Sequence, residues 1–274
     1  PPDFSFYGQE TNPEPFDFIH RSRGKADIYF VVNRSSHPQQ KDFTFRVTGK
    51  QPEIWNAVTG EIRDAGLFVQ TEKSTSLNLN LDRFESYFIV FRKPVPTNAA
   101  GSGVMNFPEL TEIKKLNGSW KVSFDPAWGG PDTTTFTELD SWTDRMEEGI
   151  KYYSGKATYK KEFNLERMTK PRRLFLDLGE IKDVAEVRLN GTNLGILWCF
   201  PWRIEITDVV KPTGNRLEVD VINLWANRVI GDLNQPKEKR FTQTHDGFRF
   251  DFLTGKTPLL RSGLFGPVEL LATE

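Results

Sequence analysis
Several things are scarce in this sequence, and each scarcity removes a class of function. There is one cysteine, Cys199, so neither an internal disulfide nor a thiolate metal cluster can form. Flanked by Trp198 and Phe200, with no cationic neighbour to lower its pKa, Cys199 reads as a small buried apolar group rather than a nucleophile. The three histidines, His20, His37 and His245, are too scattered to pair at metal-ligand spacing. No G-x-S-x-G elbow occurs, which removes the usual serine-hydrolase signature. The longest apolar runs, Ile28 to Val32 and Tyr87 to Phe91, fall far short of the ~18 residues a membrane-crossing helix needs. Neither charge sign dominates: 36 basic residues meet 37 acidic ones, and a formal net charge of -1 lacks the electrostatic footprint of a nucleic-acid or anionic-membrane binder.

What is present is aromatic and alternating. Phenylalanine alone numbers 22 in 274 residues, enough chain for two ordinary domains with a core in each. After a proline-rich opening (Pro1, Pro2, Pro13, Pro15), Phe16, Phe18 and His20 alternate. Asp27 to Asn33 is a more continuous apolar strand, and Phe43, Phe45 and Val47 alternate again, as do Leu77, Leu79 and Leu81. Seven or eight short strands with turns between them predict an all-β sandwich over residues 1–97. KPVPTNAAGSG, two prolines followed by small residues, predicts a linker at 98–103. Residues 104–274 then supply a second antiparallel sandwich, a jelly roll by strand count. Its densest stretch is 185–232. Asn190-Gly191 closes a tight hairpin, Ile204 and Ile206 alternate with Arg203 and Glu205, and Leu217, Val219 and Val221 alternate with Glu218 and Asp220. A short helix is expected around Trp142, and 231–263 reads as a long polar connection. Opening at Pro1 without Met or a signal region, the chain reads as excised from something longer.

The pieces GKATYKKEF (155–163), VAEVRLNGTNLG (184–195) and LEVDVINLWANR (217–228) resemble the galactose-binding-like jelly-roll domain attached to family 2 glycoside hydrolases. Taken in order, FIHRSRGKADIYFVVNRS (18–35), IWNAVTGE (54–61), NLWANRVIGD (223–232) and SGLFGPVEL (262–270) resemble the C-terminal region of bacterial α-L-rhamnosidases of glycoside hydrolase family 106. The resemblance implies a periplasmic or secreted parent that acts on plant-type polysaccharides. It also implies an upstream (β/α)-barrel carrying the catalytic carboxylates, as partner to this chain. No alternating strand-helix pattern is present here to build such a barrel, so no catalytic residue carries over.

Sugar recognition needs a flat apolar face for the pyranose C–H surface and planar polar groups for its hydroxyls. Trp198, Trp202 and Trp225, with Asn223, Asn227, Arg228 and Asp232, supply both types close together in sequence; the same residues also read as core or domain-interface tryptophans and an ion-pair anchor, the commoner place for large aromatics. Trp128 and Trp142, in or beside loops, are an alternative platform. His245 and Asp246, through Asp251, with Arg240, Arg249 and Arg261, form the densest polar cluster outside the strands; it could meet sugar or simply tie down a solvated loop. No cofactor is expected, and a structural calcium would find oxygen ligands at Asp125 and Asp132. Asp177, Glu180 and Asp183 share one loop, but 37 acidic residues make chance pairs inevitable. Three functions follow in order of preference: a non-catalytic region buttressing a glycosidase, an independent carbohydrate-binding module, and a self-contained hydrolase.

Overall fold
The computed structural model describes residues 2–7, 15–165, 173–242 and 253–273, which form two compact units, 1–109 and 110–274. The architecture is all-β with two short α-helices, as expected. The division falls after Glu109 rather than within 98–103, because the segment after the prolines packs on the first unit. Gly103 N donates to Gly66 O, the Asn106 amide both donates to and accepts from the Leu67 backbone, and Phe107 meets the Tyr87 ring at 5.4 Å.

Unit 1 contains β1 (Phe4–Tyr7), β2 (Phe16–Arg23), β3 (Ala26–Asn33), β4 (Gln39–Phe45), β5 (Lys50–Trp55), β6 (Ile62–Asp64), β7 (Val69–Gln70), β8 (Thr75–Leu81) and β9 (Ser86–Pro94). They form a four-stranded sheet, β1-β4-β8-β7, and a five-stranded sheet, β2-β3-β9-β5-β6. The period-2 pattern explains the layering. Phe43, Phe45, Leu77, Leu79 and Leu81 from one sheet meet Tyr29, Val31, Ile54, Ile89 and Phe91 from the other, all at or near zero exposure. Ring contacts bridge the sheets, Phe43 to Phe16 at 4.9 Å and Tyr29 to Phe45 at 4.9 Å, both edge-on. At one end His20 stacks on Tyr29 and sits between two carboxylates, Nδ1 2.9 Å from Asp3 and Nε2 3.3 Å from Asp27. Both ring nitrogens donate there only when the imidazole is charged. Asp3 also accepts from Tyr29 and Arg46, so the entry to β1 is held by polar contacts as well as by the packing of Phe4 and Phe6.

Unit 2 contains β10 (Leu110–Lys115), β11 (Trp120–Ser123), β12 (Thr134–Phe136), β13 (Lys156–Phe163), β14 (Leu174–Asp177), β15 (Glu180–Lys182), β16 (Val184–Leu189), β17 (Thr192–Leu197), β18 (Arg203–Glu205), β19 (Asn215–Ile222), β20 (Gly263–Gly266) and β21 (Glu269–Thr273). Helix α1 is Glu148–Lys151 and helix α2 is Ala226–Leu233. A six-stranded sheet, β12-β11-β13-β19-β16-β17, packs over one core with a four-stranded sheet, β10-β21-β14-β18, and the β15-β20 pair. The Asn190-Gly191 turn joins β16 to β17 with both residues at positive φ, 55° and 85°. The outward face of the large sheet is charged. Asp220, almost fully buried, accepts from Thr158 Oγ1 at 2.6 Å and pairs with Arg188 at 3.0 Å. Burial alone would raise its pKa; the hydroxyl, Arg188 and Lys156 outweigh that and hold the carboxyl below its ordinary value.

Where a helix was expected around Trp142, a 3-10 turn spans Trp142–Asp144, and α1 follows a few residues later. The structure also places an unexpected helix, α2, running from within the NLWANR stretch into the start of the polar connection read over 231–263. Two turns are too few to be stable alone; α2 forms because its residues 227–232 are all buried. Cys199 is only partly buried, not enclosed as expected, since it lies on the bend between β17 and β18.

Candidate functional site
The predicted polar residues converge at one end of unit 2, where β19 runs into α2. As β19 ends, Asn223 turns inward: its Oδ1 accepts from Gly155 N at 2.9 Å, and its Nδ2 donates to Tyr153 O and to Ser262 Oγ. Asn227, one turn along, donates to Leu260 O at 2.7 Å and Ser262 Oγ at 3.1 Å, and accepts from Leu260 N at 2.8 Å. Ser154 Oγ donates to Leu224 O and accepts from Arg228 N. Two asparagines and two serines thus satisfy backbone groups that sheet pairing leaves open, which is the ordinary requirement for polar atoms taken out of water.

Arg228 and Asp232 lie one turn apart on α2, both almost fully buried, with Arg228 Nε 3.3 Å from Asp232 Oδ1. Those two atoms make no well-formed hydrogen bond; the ion pair alone offsets their burial. Burial pushes the Arg228 guanidinium below its ordinary pKa, and the neighbouring Asp232 charge opposes the shift. The guanidinium lies 4.6 Å over the Phe241 ring and reaches Trp128 O at 3.4 Å. Asp232 Oδ2 accepts from both the backbone and the hydroxyl of Thr242.

Above this buried layer stands an exposed aromatic one. Trp225, immediately before α2, is 52% exposed, and Leu224 and Phe241 are exposed beside it in sequence or through Arg228. Trp128 meets Trp225 edge-to-face at 5.0 Å. The DPAWGG loop brings Trp128 there: Asp125 Oδ1 caps a 3-10 turn at Ala127 N, and Gly129 ends it at φ 82°. A Cβ on Gly129 would come within 2.6 Å of the Phe241 ring, so only glycine fits.

Among the predicted contacts, then, Asn227, Arg228 and Asp232 are turned into the fold, whereas Trp225 faces solvent. Trp198 is 59% exposed, on the bend between β17 and β18. Trp202 is buried, and Trp142 is fully enclosed, its indole N–H donating to the Tyr159 hydroxyl, so Trp142 is core rather than a platform. Arg261 lies 4.1 Å over the Phe265 ring and 3.7 Å from Glu180. His245, with Asp246, Arg249 and Asp251, lies outside the described residues; Arg240 donates to Gln235 O. Over 177–183, read as one loop, the structure places the end of β14 and strand β15; Asp177 accepts from Arg203 and Gly179 N, and Asp183 accepts from Leu224 N. Among the described residues no group of three or more potential metal ligands comes together. Sequence reasoning missed Ser154 and Ser262, whose small hydroxyls give no periodic signal.

Comparison with known proteins agrees with this architecture. Residues 1–68 match the glycoside hydrolase family 106 α-L-rhamnosidase family, and residues 138–248 match the glycosyl hydrolase 2 galactose-binding domain-like family. A rhamnosidase from Novosphingobium sp. PP1Y is 34% identical in sequence, with a TM-score of 0.86, over 99% of this chain and 25% of its own. A "Putative beta-glucuronidase" of Formosa agariphila is 32% identical over 262 residues, 82% of this chain and 22% of that protein. The chain therefore spans about a quarter of the length of these relatives. It is a rhamnosidase-like glycoside hydrolase region, built of β-sandwiches and carrying a galactose-binding-like domain of the family 2 type.

Proposed function
We propose that this chain is a non-catalytic region of a glycoside hydrolase that acts on polysaccharide, buttressing a catalytic domain and touching carbohydrate at the Trp225 and Trp128 pair. The observation that carries the sugar contact is the division of labour around α2. A buried polar layer, its asparagine amides hydrogen-bonded and its Arg228 and Asp232 paired by charge, fixes the helix, and the layer above it presents a half-exposed indole against a second one. A rigid, partly apolar and partly wet surface of this kind suits the C–H face of a pyranose.

The scaffold part is supported by what the carboxylates do. Glycosidic bond cleavage uses a pair of carboxyl groups, one of them held protonated by a raised pKa. Among the described residues, each carboxylate with a shifted pKa (Asp3, Asp27, Glu53, Glu147, Glu205, Glu218 and Asp220) is shifted downward by cationic or hydrogen-bonding partners. Those are the environments of structural ion pairs.

The test is titration calorimetry of the purified chain with rhamnose- and glucuronate-containing oligosaccharides, the sugars that the relatives' names suggest. Binding in the millimolar range, worth about -4 kcal/mol, should vanish in Trp225→Ala with the melting temperature unchanged. No turnover of an aryl rhamnoside is expected. Hydrolysis abolished by a carboxylate substitution here would overturn the scaffold reading; absence of any binding would remove the sugar contact.

A further inference from the structure
The outward faces of the two sheets of unit 1 differ in kind. On the four-stranded sheet the pairs between its two central strands are polar: Thr44 opposite Ser76 with the hydroxyls 2.7 Å apart, and Asp42 opposite Asn78, which donates to it at 2.8 Å. This is the usual arrangement for an antiparallel sheet with one face in water. The five-stranded sheet departs from it. Its register sets Ile19 opposite Phe30, Phe30 opposite Phe88, Phe88 opposite Trp55 and Trp55 opposite Ile62. These residues alternate with Tyr29, Ile89 and Ile54 of the core, so one apolar row crosses all five strands on the side turned away from it. At ~4.8 Å per strand the row is roughly 19 Å long.

None of the five belongs to the core of the unit; the row is 52% and 53% exposed at its ends, Ile19 and Ile62, and half-buried at Phe30, Trp55 and Phe88 between them. Its surroundings are charged. Arg92 lies 5.0 Å over the Trp55 ring and, with Lys93, clamps the fully buried Glu53 at 2.6 and 2.8 Å. An aromatic centre with arginine, ringed by charge, is the anatomy of a protein interface. The sequence agrees independently: Ile28 to Val32 and Tyr87 to Phe91 are unbroken apolar runs, the pattern of strands covered on both faces.

We propose that this face is the docking surface for a further folded domain of the same polypeptide, one that presents an apolar surface to the row. The proposal rests on the scaffold reading above and names the surface through which scaffolding occurs. A same-chain occupant is favoured by length and by area. The rhamnosidase that this chain follows over 99% of its length is about four times as long, so there the region has folded polypeptide tethered beside it. Tethering supplies a millimolar effective concentration, enough for a row of five side chains. A free second copy would need a standard interface of roughly 800 Å² per partner.

Carbene footprinting of the intact protein made from its complete gene tests this, read by mass spectrometry with Phe84 and Tyr7, exposed in the same unit, as references. Loss of label at Phe30, Phe88 and Ile62, in a protein that light scattering finds monomeric, is the expected result. Ile19→Lys with Ile62→Lys, both at exposed positions, should restore the label at Phe88, whereas Tyr7→Lys on the polar sheet should not. A row labelled as strongly, relative to Phe84, as in the 274-residue chain alone overturns the proposal. So does protection that appears only in a dimer, since the occupant would then be a second copy. Either failure leaves the turnover and titration outcomes untouched, so it is separable from failure of the scaffold reading.

Discussion

Asn227 decides between two roles that its sequence position allowed. In the structure its amide makes three hydrogen bonds, two donated to Leu260 O and Ser262 Oγ and one accepted from Leu260 N, and the residue is 1% exposed. Asn227→Ala removes all three and leaves the Leu260 N–H without its partner, while Leu260 O keeps only the Ser262 hydroxyl. At about 1 kcal/mol per bond, with an added penalty for stranded buried groups, the loss should be about 2–4 kcal/mol. For a domain of about 150–250 residues that lowers the melting temperature by roughly 5–15 °C. Circular dichroism melts of the wild-type and Asn227→Ala chains measure it directly, with Trp225→Ala as the counterpart that should melt normally. If Asn227→Ala melts within about 1 °C of wild type yet no longer binds sugar, the amide faces ligand rather than fold, and the assignment of a buried polar layer is wrong.

Two further outcomes follow from charge and from backbone approach. Asp3, Asp27, Glu53, Glu205, Glu218 and Asp220 all have folded-state pKa values below their ordinary ones, so the unfolded chain binds more protons in acid. Their stabilisation is complete above the ordinary carboxylate range near pH ~4 and disappears as pH falls through the lower folded values. Urea midpoints should therefore drop between pH 6 and pH 3, and equal midpoints would contradict the ion-pair geometry. Gly179→Ala should cost about 2 kcal/mol or more, because at φ 71° an added Cβ would come within 2.2 Å of the Gly266 carbonyl carbon. Gly191→Ala, at φ 85° with open space around it, should cost only the backbone strain, about 1 kcal/mol. Equal losses in thermal melts would refute the close approach.

The strands were legible because a sandwich writes its layers as alternation: Leu77, Leu79 and Leu81 are buried while Asn78 and Asn80 are not. The Asn190-Gly191 hairpin was legible because few residue pairs accept positive φ twice. Helix α2 was not, since its eight residues are fewer than the ~11–18 over which a helical period can be told from a strand, although the period is there. The candidate site was half legible. Asn, Arg, Asp and Trp beside each other signal either a sugar site or a polar layer under a helix, and only the partners, Leu260, Ser262 and Thr242, distinguish them. Those partners lie ten or more residues away and leave no mark in local pattern.

In unit 2, β21 lies between β10 and β14, hydrogen-bonded to both, although it follows them by a long stretch of chain. The four-stranded layer therefore has a gap at its middle until Glu269–Thr273 has left the ribosome. Throughout that interval Leu174 and Leu176 of β14 lack a neighbour on one side, while the sheets of unit 1 are already complete. The nascent protein would pass through a stage in which one sandwich has closed and the other still waits for its keystone, and it is then that a chaperone has most to hold.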